Sequence, residues 1–382
     1  MNTVCDVNMC AGCMACVDIC PRRAISVVDD MEHMNAIIDL SLCINCNACH
    51  KICQNNNPPI LKKPKKWLQG WGDEQTRSTS SSGGFGQEVM RAVLRSGGSV
   101  AACKFESGEF KFELFDDELR IAEFIGSKYV KSNPVGIYKS IKSRLKTGEK
   151  VLFIGLPCQV ASLRNYVNDN ANLYTIDLIC HGSPSVKLLQ KAVDEYGYAL
   201  SKMNAIYFRS SDKFAIETQP LGIVPKGVQD RYTMAFLKGL CYTENCYTCQ
   251  YAQVARAGDL TIGDSWGTEM TSELPKGVSL VLCQTKKGQE LLDLMDFDFF
   301  NVQKEESVNQ NKQLQHPSNA PRERKRFFED MRKGKKFKSA VMRAYPKDCM
   351  KQNIKSALIT MNLWGGGGEK VNDPVYKIYI VI

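Results

Sequence analysis

Seventeen cysteines stand in this chain of 382 residues, nine of them at or before Cys53. Eight of the nine form two sets with one spacing. The first is Cys10-x2-Cys13-x2-Cys16-x3-Cys20, followed by Pro21; the second is Cys43-x2-Cys46-x2-Cys49-x3-Cys53. Three thiolates on one tight loop can meet three corners of a four-iron cubane. The fourth corner must be met from elsewhere, and a duplicated half supplies it. Cys10, Cys13, Cys16 and Cys53 are therefore expected to ligate one 4Fe–4S cluster. Cys43, Cys46, Cys49 and Cys20 are expected to ligate a second. Zinc, the competing metal, favours paired C-x2-C ligands over three cysteines at this pitch. Gln54 stands where the first half has Pro21; proline turns the chain and ligates nothing, so the assignment survives the change. Cys5 is left over and reads as a free thiol. Two such clusters pass single electrons and break no substrate bonds, so these residues indicate a relay without naming its partner.

Elements must position those loops. Residues 1–57 read as an α+β, ferredoxin-like two-cluster module. The stretch NNNPPILKKPKK (55–66) is polar, Pro- and Lys-rich, and reads as a linker, extended here over 58–77. The Ser/Gly run Ser78–Gly86 opens an amphipathic helix over Gln87–Arg95, ended by Gly97-Gly98. SVAACKF reads as a strand and residues 134–147 as a helix. VLFIG, then LPC, then QVASLRNYV form strand, turn and helix. LYTIDLIC is a further strand, running into a turn at His181–Pro184 and a helix over Ser185–Tyr196. DLTIGDSW and VSLVLCQT read as strands, with a helix over Gly288–Met295; residues 206–232 show no clear period. Alternating strands and helices predict an α/β core domain after the cysteine module. Gly365–Gly368 marks a joint, and Val375–Ile382 fits a strand or a tail equally well.

Composition, at 43% apolar and 24% charged residues, is that of a folded globular chain. No run of about 18 apolar residues exists to span a membrane. The N-terminus has no basic and apolar leader pattern, and the cysteine spacing is that of metal ligands. A cytoplasmic, reducing location is expected. The net charge of +9 has one source: residues 301–382 hold 17 Lys/Arg against 8 Asp/Glu, while the first 300 residues balance. Such a basic region, with Arg322–Arg326 and Arg332–Lys338 at its centre, suits an acidic partner, or is simply a solvated, partly helical surface. No aromatic platform or nucleic-acid motif accompanies it, so nucleic acid is not expected.

Six runs in the larger part occur in a specific order: SSSGGFG (Ser80–Gly86), GSKYVKS (Gly126–Ser132), VLFIGLPCQVASLR (Val151–Arg164), DLICHGSPS (Asp177–Ser185), CYTC (Cys246–Cys249) and GDLTIGDSWG (Gly258–Gly267). Over about residues 70–300 the chain resembles the coenzyme F420-reducing hydrogenase and dehydrogenase beta subunit family, in which an N-terminal ferredoxin fusion also occurs. The resemblance divides the core into an N-terminal region, 78–148, and a C-terminal region, 149–300, with 301–382 as the basic C-terminal region.

The resemblance implies an iron–sulfur flavoprotein oxidoreductase with FAD, exchanging hydride with coenzyme F420 or another two-electron small molecule. It also implies a redox partner protein or a catalytic subunit. Four cysteines, Cys158, Cys180, Cys246 and Cys249, fall inside the matching runs and would ligate a third 4Fe–4S cluster, with Cys241 near enough to replace one of them. Inert buried thiols, or zinc on the C-x2-C pair, are the competing readings. Ser82, Gly83 and Gly84 are the candidate flavin phosphate contacts, because glycine admits a ligand close to the backbone and a helix N-terminus favours an anion. Lys128 and Gly155 are further candidate cofactor contacts. His181 and Asp264 read equally as neighbours of the cofactors or as structural polar groups. Cys103, Cys283 and Cys349 lie outside the runs and read as plain thiols. No acid–base residue is assigned. An electron-transfer subunit without its own substrate is the alternative function, and a zinc-stabilised binding protein a third.

Overall fold

A computed structural model describes residues 2–210, 213–218 and 222–363. Gly365–Gly368 and Val375–Ile382 lie outside the described residues.

The repeat in the cysteine sequence is a repeat in the backbone. Gly12 and Met14 have positive φ (66° and 60°), and so do Asn45 and Asn47 (55° and 59°), each pair at the same places in its half. Left-handed conformations at three non-glycine residues are uncommon, so the tight turn is imposed by the loop. Each loop feeds a short helix, Ala15–Ile19 and Ala48–Ile52. Between the halves, β1 (Ile25–Asp29) and β2 (Met34–Ile38) form an antiparallel pair.

The main sheet has eight strands. They are β3 (Lys66–Trp71), β4 (Ser99–Glu106), β5 (Glu109–Phe115), β6 (Val151–Gly155), β7 (Leu173–Leu178), β10 (Leu260–Asp264), β11 (Ser279–Cys283) and β12 (Asp298–Asn301). A separate hairpin is made by β8 (Tyr207–Ser210) and β9 (Lys213–Glu217). The sheet order is β12-β3-β11-β10-β7-β6-β4-β5. Its centre, β10-β7-β6-β4, is parallel, and both flanks are antiparallel. Strands buried on two faces need apolar residues at successive positions, as in VLFIG. Val151 and Phe153 meet the helices Ile137–Lys146 and Pro157–Val167 on one face. Leu152 and Ile176 meet the helices Phe85–Arg95 and Lys286–Asp293 on the other. The α/β core is therefore three-layered.

Two expectations need correction. Residues 58–77 are not a free linker: β3 is hydrogen-bonded between β11 and β12, and the helix Glu74–Ser78 follows it. KWLQGW hides this because it is neither alternating nor β-branched. Its Gly70 makes the pairing possible, since a Cβ there would stand 1.9 Å from the Asp298 carbonyl oxygen. The basic C-terminal region is also more than a solvated surface. Its helices Arg324–Arg332 and Phe337–Ala344 bury Phe327, Phe328, Met331 and Phe337 against Tyr232, Leu188 and the β8–β9 hairpin. Among the described residues no helix is long and apolar enough to cross a membrane.

Candidate metal centres

Cys20, Cys43, Cys46 and Cys49 line one small cavity, with Ile25, Ile38 and Ile44 around them. Cys10, Cys13, Cys16 and Cys53 line another. The fourth cysteine of each half thus sits with the other half's three, the crossed grouping expected from the spacing. The donor sets suit iron–sulfur clusters further. The Gly12 amide donates to Cys10 Sγ at 3.4 Å, and its counterpart Asn45 donates to Cys43 Sγ at the same distance. Ala24 N–H donates to Cys20 Sγ at 3.3 Å. Amide donors of this kind stabilise the negative charge on cluster sulfurs.

The two cavities differ in exposure. Cys46 is exposed and Cys43 half-buried, whereas Cys10, Cys13, Cys16 and Cys53 are all buried. The set with Cys46 is therefore the outer set, and the set with Cys10 the inner set. Cys5 joins the inner cavity, buried against Cys10 and Cys53. Hydrogen bonding to Cys5 lowers Cys10 to about 7 and Cys53 to about 6, and the same contacts raise Cys5. Cys5 is therefore a neighbour of the inner set and not an isolated thiol. Burial pushes Cys13 up to about 12.

The third set is assembled by the sheet. β6 and β7 are parallel and end together at the pair Gly155–Asp177. Cys158 and Cys180 each follow three residues later, so both emerge at the C-terminal ends of adjacent central strands. Cys246 lies in the short 3-10 helix Glu244–Thr248, with Cys249 just after it. The Ser183 amide donates to Cys246 Sγ at 3.5 Å, tying this segment to the loop after Cys180. Burial raises the Cys158 thiol well above its usual range and Cys180 to about 12. The neighbouring Cys246 and Cys249 sulfurs push the same way on Cys180, as Cys249 and Cys180 do on Cys158. Each of Cys158 and Cys180 thus has cysteines of the C-x2-C pair as neighbours. Cys241 is fully buried beside Tyr232 and Tyr242, in the same apolar cluster as Cys246.

The other candidate contacts are engaged by the protein itself. Lys128 Nζ donates to the carbonyls of Phe124, Ile125 and Gly126 at 2.7, 2.9 and 3.1 Å, which uses its three protons. Ser82 Oγ donates to the Val278 carbonyl at 3.0 Å. A Cβ at Gly83 would stand 2.3 Å from the Gly70 carbonyl oxygen, so strand packing requires that glycine. Gly84 caps the helix Phe85–Arg95 with φ 88°. At Gly155 a Cβ would meet the Phe153 ring at 2.7 Å. Asp264 accepts an ion-paired hydrogen bond from Arg209 at 2.6 Å, and His181 is exposed. Cys103 is half-buried; Cys283 and Cys349 are buried.

Sequence reasoning missed the residues that dock the cysteine module. Tyr138 donates its hydroxyl to the Cys13 carbonyl at 2.7 Å. Tyr251, two positions after Cys249, donates to Gln54 Oε1 at 2.5 Å. Gln54 was visible only as the break in the repeat. It replaces a turn-forming proline with an anchor between the inner and third sets.

Comparison with known proteins adds a family match over part of the chain. Residues 148–307 match the family described as the C terminus of the Coenzyme F420 hydrogenase/dehydrogenase beta subunit. All four cysteines of the third set lie in that range. Among solved structures, a chain of the F420-reducing NiFe hydrogenase complex from Methanosarcina barkeri is similar, with a TM-score of 0.47 and 18% identity, covering 66% of this chain and 92% of that one. No curated protein sequence matches the chain.

Proposed function

We propose that this chain is an iron–sulfur oxidoreductase of the F420 hydrogenase/dehydrogenase beta-subunit kind, built as an electron relay with an outer, an inner and a third cysteine set. When bound, 4Fe–4S clusters supply one-electron transfer, and a flavin supplies exchange between single electrons and hydride. The observation that carries the reading is the crossed grouping. Cys53 lines the cavity of Cys10, Cys13 and Cys16, and Cys20 lines that of Cys43, Cys46 and Cys49. Adjacency supports the order of the sets. Cys13 of the inner set shares one apolar cluster with Cys158 and Cys249 of the third, while the outer set opens to solvent.

In the fuller form of the proposal, FAD binds near Ser82, Gly83, Gly84, Lys128 and Gly155, and coenzyme F420 or another two-electron acceptor is the substrate. One observation favours the simpler form, a relay subunit docking on a catalytic partner: Lys128 and Gly83 are already committed to backbone contacts. Anaerobic purification with iron, sulfide and flavin quantified together separates the two. Both forms expect about 12 iron atoms per chain from three four-iron clusters. Stoichiometric flavin selects the fuller form and its absence the relay. About eight iron atoms removes the third set, and zinc without sulfide removes the proposal.

A further inference from the structure

Lys131 is 5% exposed. A buried ammonium is expensive unless an anion or several hydrogen bonds offset it. Several other buried cations here have carboxylates, although Arg231 is held by the Cys349 carbonyl and Asn353. Lys104 meets Glu106, Glu113 and Glu123, and Arg324 meets Glu32 and Glu244. At Lys131 no carboxylate lies within ion-pair distance among the described residues; its Nζ donates to the Ala11 carbonyl at 2.9 Å. Ala11 sits between Cys10 and Cys13. The Lys131 amide donates to the Pro184 carbonyl at 2.9 Å, in the loop that follows Cys180. The residue therefore spans the loops of two cysteine sets. Gly12 makes room for it: a Cβ there would be 3.0 Å from Lys131 Cδ and 2.5 Å from Met34 Sδ.

We infer that Lys131 is the fixed positive charge shared by the inner set (Cys10, Cys13, Cys16, Cys53) and the third set (Cys158, Cys180, Cys246, Cys249), and that it raises the reduction potentials of the clusters these sets hold. The inference rests on the function proposed above. A cluster bound by four thiolates is anionic and becomes more so on taking up an electron. A nearby cation in a medium of low dielectric favours the reduced form. The ammonium is hydrogen-bonded into the Cys10–Cys13 loop, and the Lys131 backbone is bonded to the loop that follows Cys180. Among the described residues no hydrogen bond joins Lys131 to the loops of the outer set. The charge thus acts on two sets of the three, so an electron arriving at the outer set finds lower energy further in.

The test is a mediator titration of the full-length, cluster-loaded protein, followed by electron paramagnetic resonance. Lys131→Met and Lys131→Gln remove the charge, the latter keeping a hydrogen-bond donor; Lys131→Arg keeps the charge. Two of three one-electron waves should move to lower potential in both neutral variants. A tenfold change in the reduction equilibrium constant is a shift of about 59 mV. The third wave, identified by its loss in Cys46→Ser, should stay, and Lys131→Arg should hold all three near wild type. Loss of iron from the inner and third sets alone in the neutral variants would also support the inference, since those sets would then need the cation to hold their charge. Unmoved waves, an equal shift of all three, a wild-type result for Lys131→Gln, or loss of iron from every set would overturn it. Failure of the functional reading shows separately, as missing iron or sulfide in the wild-type protein before any variant is made.

Discussion

Cys20 and Cys53 lie 33 positions apart at equivalent places in the repeat, yet each serves the other half's cavity. Removing them should therefore have opposite local effects. Cys20→Ser should disturb the exposed outer cluster and Cys53→Ser the buried inner one. Each should lower the iron count by up to four atoms per chain, about one cluster's worth, and Mössbauer or resonance spectra should show different clusters lost. Uncrossed ligation predicts the reverse pattern. Cys5 gives a companion prediction. It lies outside the repeated spacing but lines the inner cavity, so Cys5→Ala should leave the iron count unchanged while altering the inner cluster's potential. Loss of four iron atoms would make it a ligand. The crossed grouping of the eight cysteines was legible in the sequence because cubane chemistry would fix their spacing along the chain. Cys5, Gln54 and Lys131 were not legible as participants, because their roles depend on contacts between segments up to 197 residues apart.

At the scale of elements, strands were readable where both faces are buried and hidden where pairing alone makes the strand. VLFIG and LYTIDL announced β6 and β7, and their parallel register is what brings Cys158 and Cys180 to the same end of the sheet. β3, β5 and β12 went unread: KWLQGW and DFFN carry little apolar period, and EFKFELF alternates beside a charged network. The SSSGG run was read as a ligand cradle because composition cannot show what approaches a glycine. Gly83→Ala forces a Cβ against the Gly70 carbonyl, so it should destabilise the fold by about 1–3 kcal/mol through overpacking. Gly86 has nothing within 4 Å of its Cβ position, so Gly86→Ala should leave the denaturation midpoint unchanged or raise it. Equal effects of the two would deny the packing role. The β4–β5 hairpin adds a pH dependence. Arg120 and then Lys104 hold the Glu123 carboxyl down to about 2 against some burial, below its ordinary 4.5. A depressed carboxyl stabilises the fold above its unfolded pKa and loses that contribution as pH falls through the folded one. The gap in midpoint between wild type and Glu123→Gln should therefore be constant above about pH 4.5 and shrink below it, as thermal melts across that range would show.

The whole molecule buries one end of the proposed relay and exposes the other. Tyr138, Tyr251 and Lys131 hold the inner face of the cysteine module to the core. Arg324 and Arg332 of the basic region close over it by pairing with Glu32. Part of the C-terminal positive charge is thus spent inside the protein, as it is again where Lys335 and Arg343 meet Asp330. The outer cavity keeps a different character. Leu40, Leu42 and Ile44 stand 62%, 43% and 58% exposed beside it. Arg22 lines it and Arg23 is exposed next to it, against the exposed acid Asp39. An apolar rim flanked by basic residues suits an acidic one-electron carrier protein, with charge steering the encounter and the rim excluding water at contact. The two basic surfaces can be set against each other. Arg22→Glu with Arg23→Glu should slow reduction by such a carrier on the order of tenfold at low ionic strength, and flatten its salt dependence. Lys333→Glu with Lys336→Glu, on exposed positions of the C-terminal region, should not. Stopped-flow reduction measures both, and unchanged iron content would show that each pair acts on encounter. The opposite ranking would move the entry point to the C-terminal helices and leave the exposed sulfur of Cys46 without a reason.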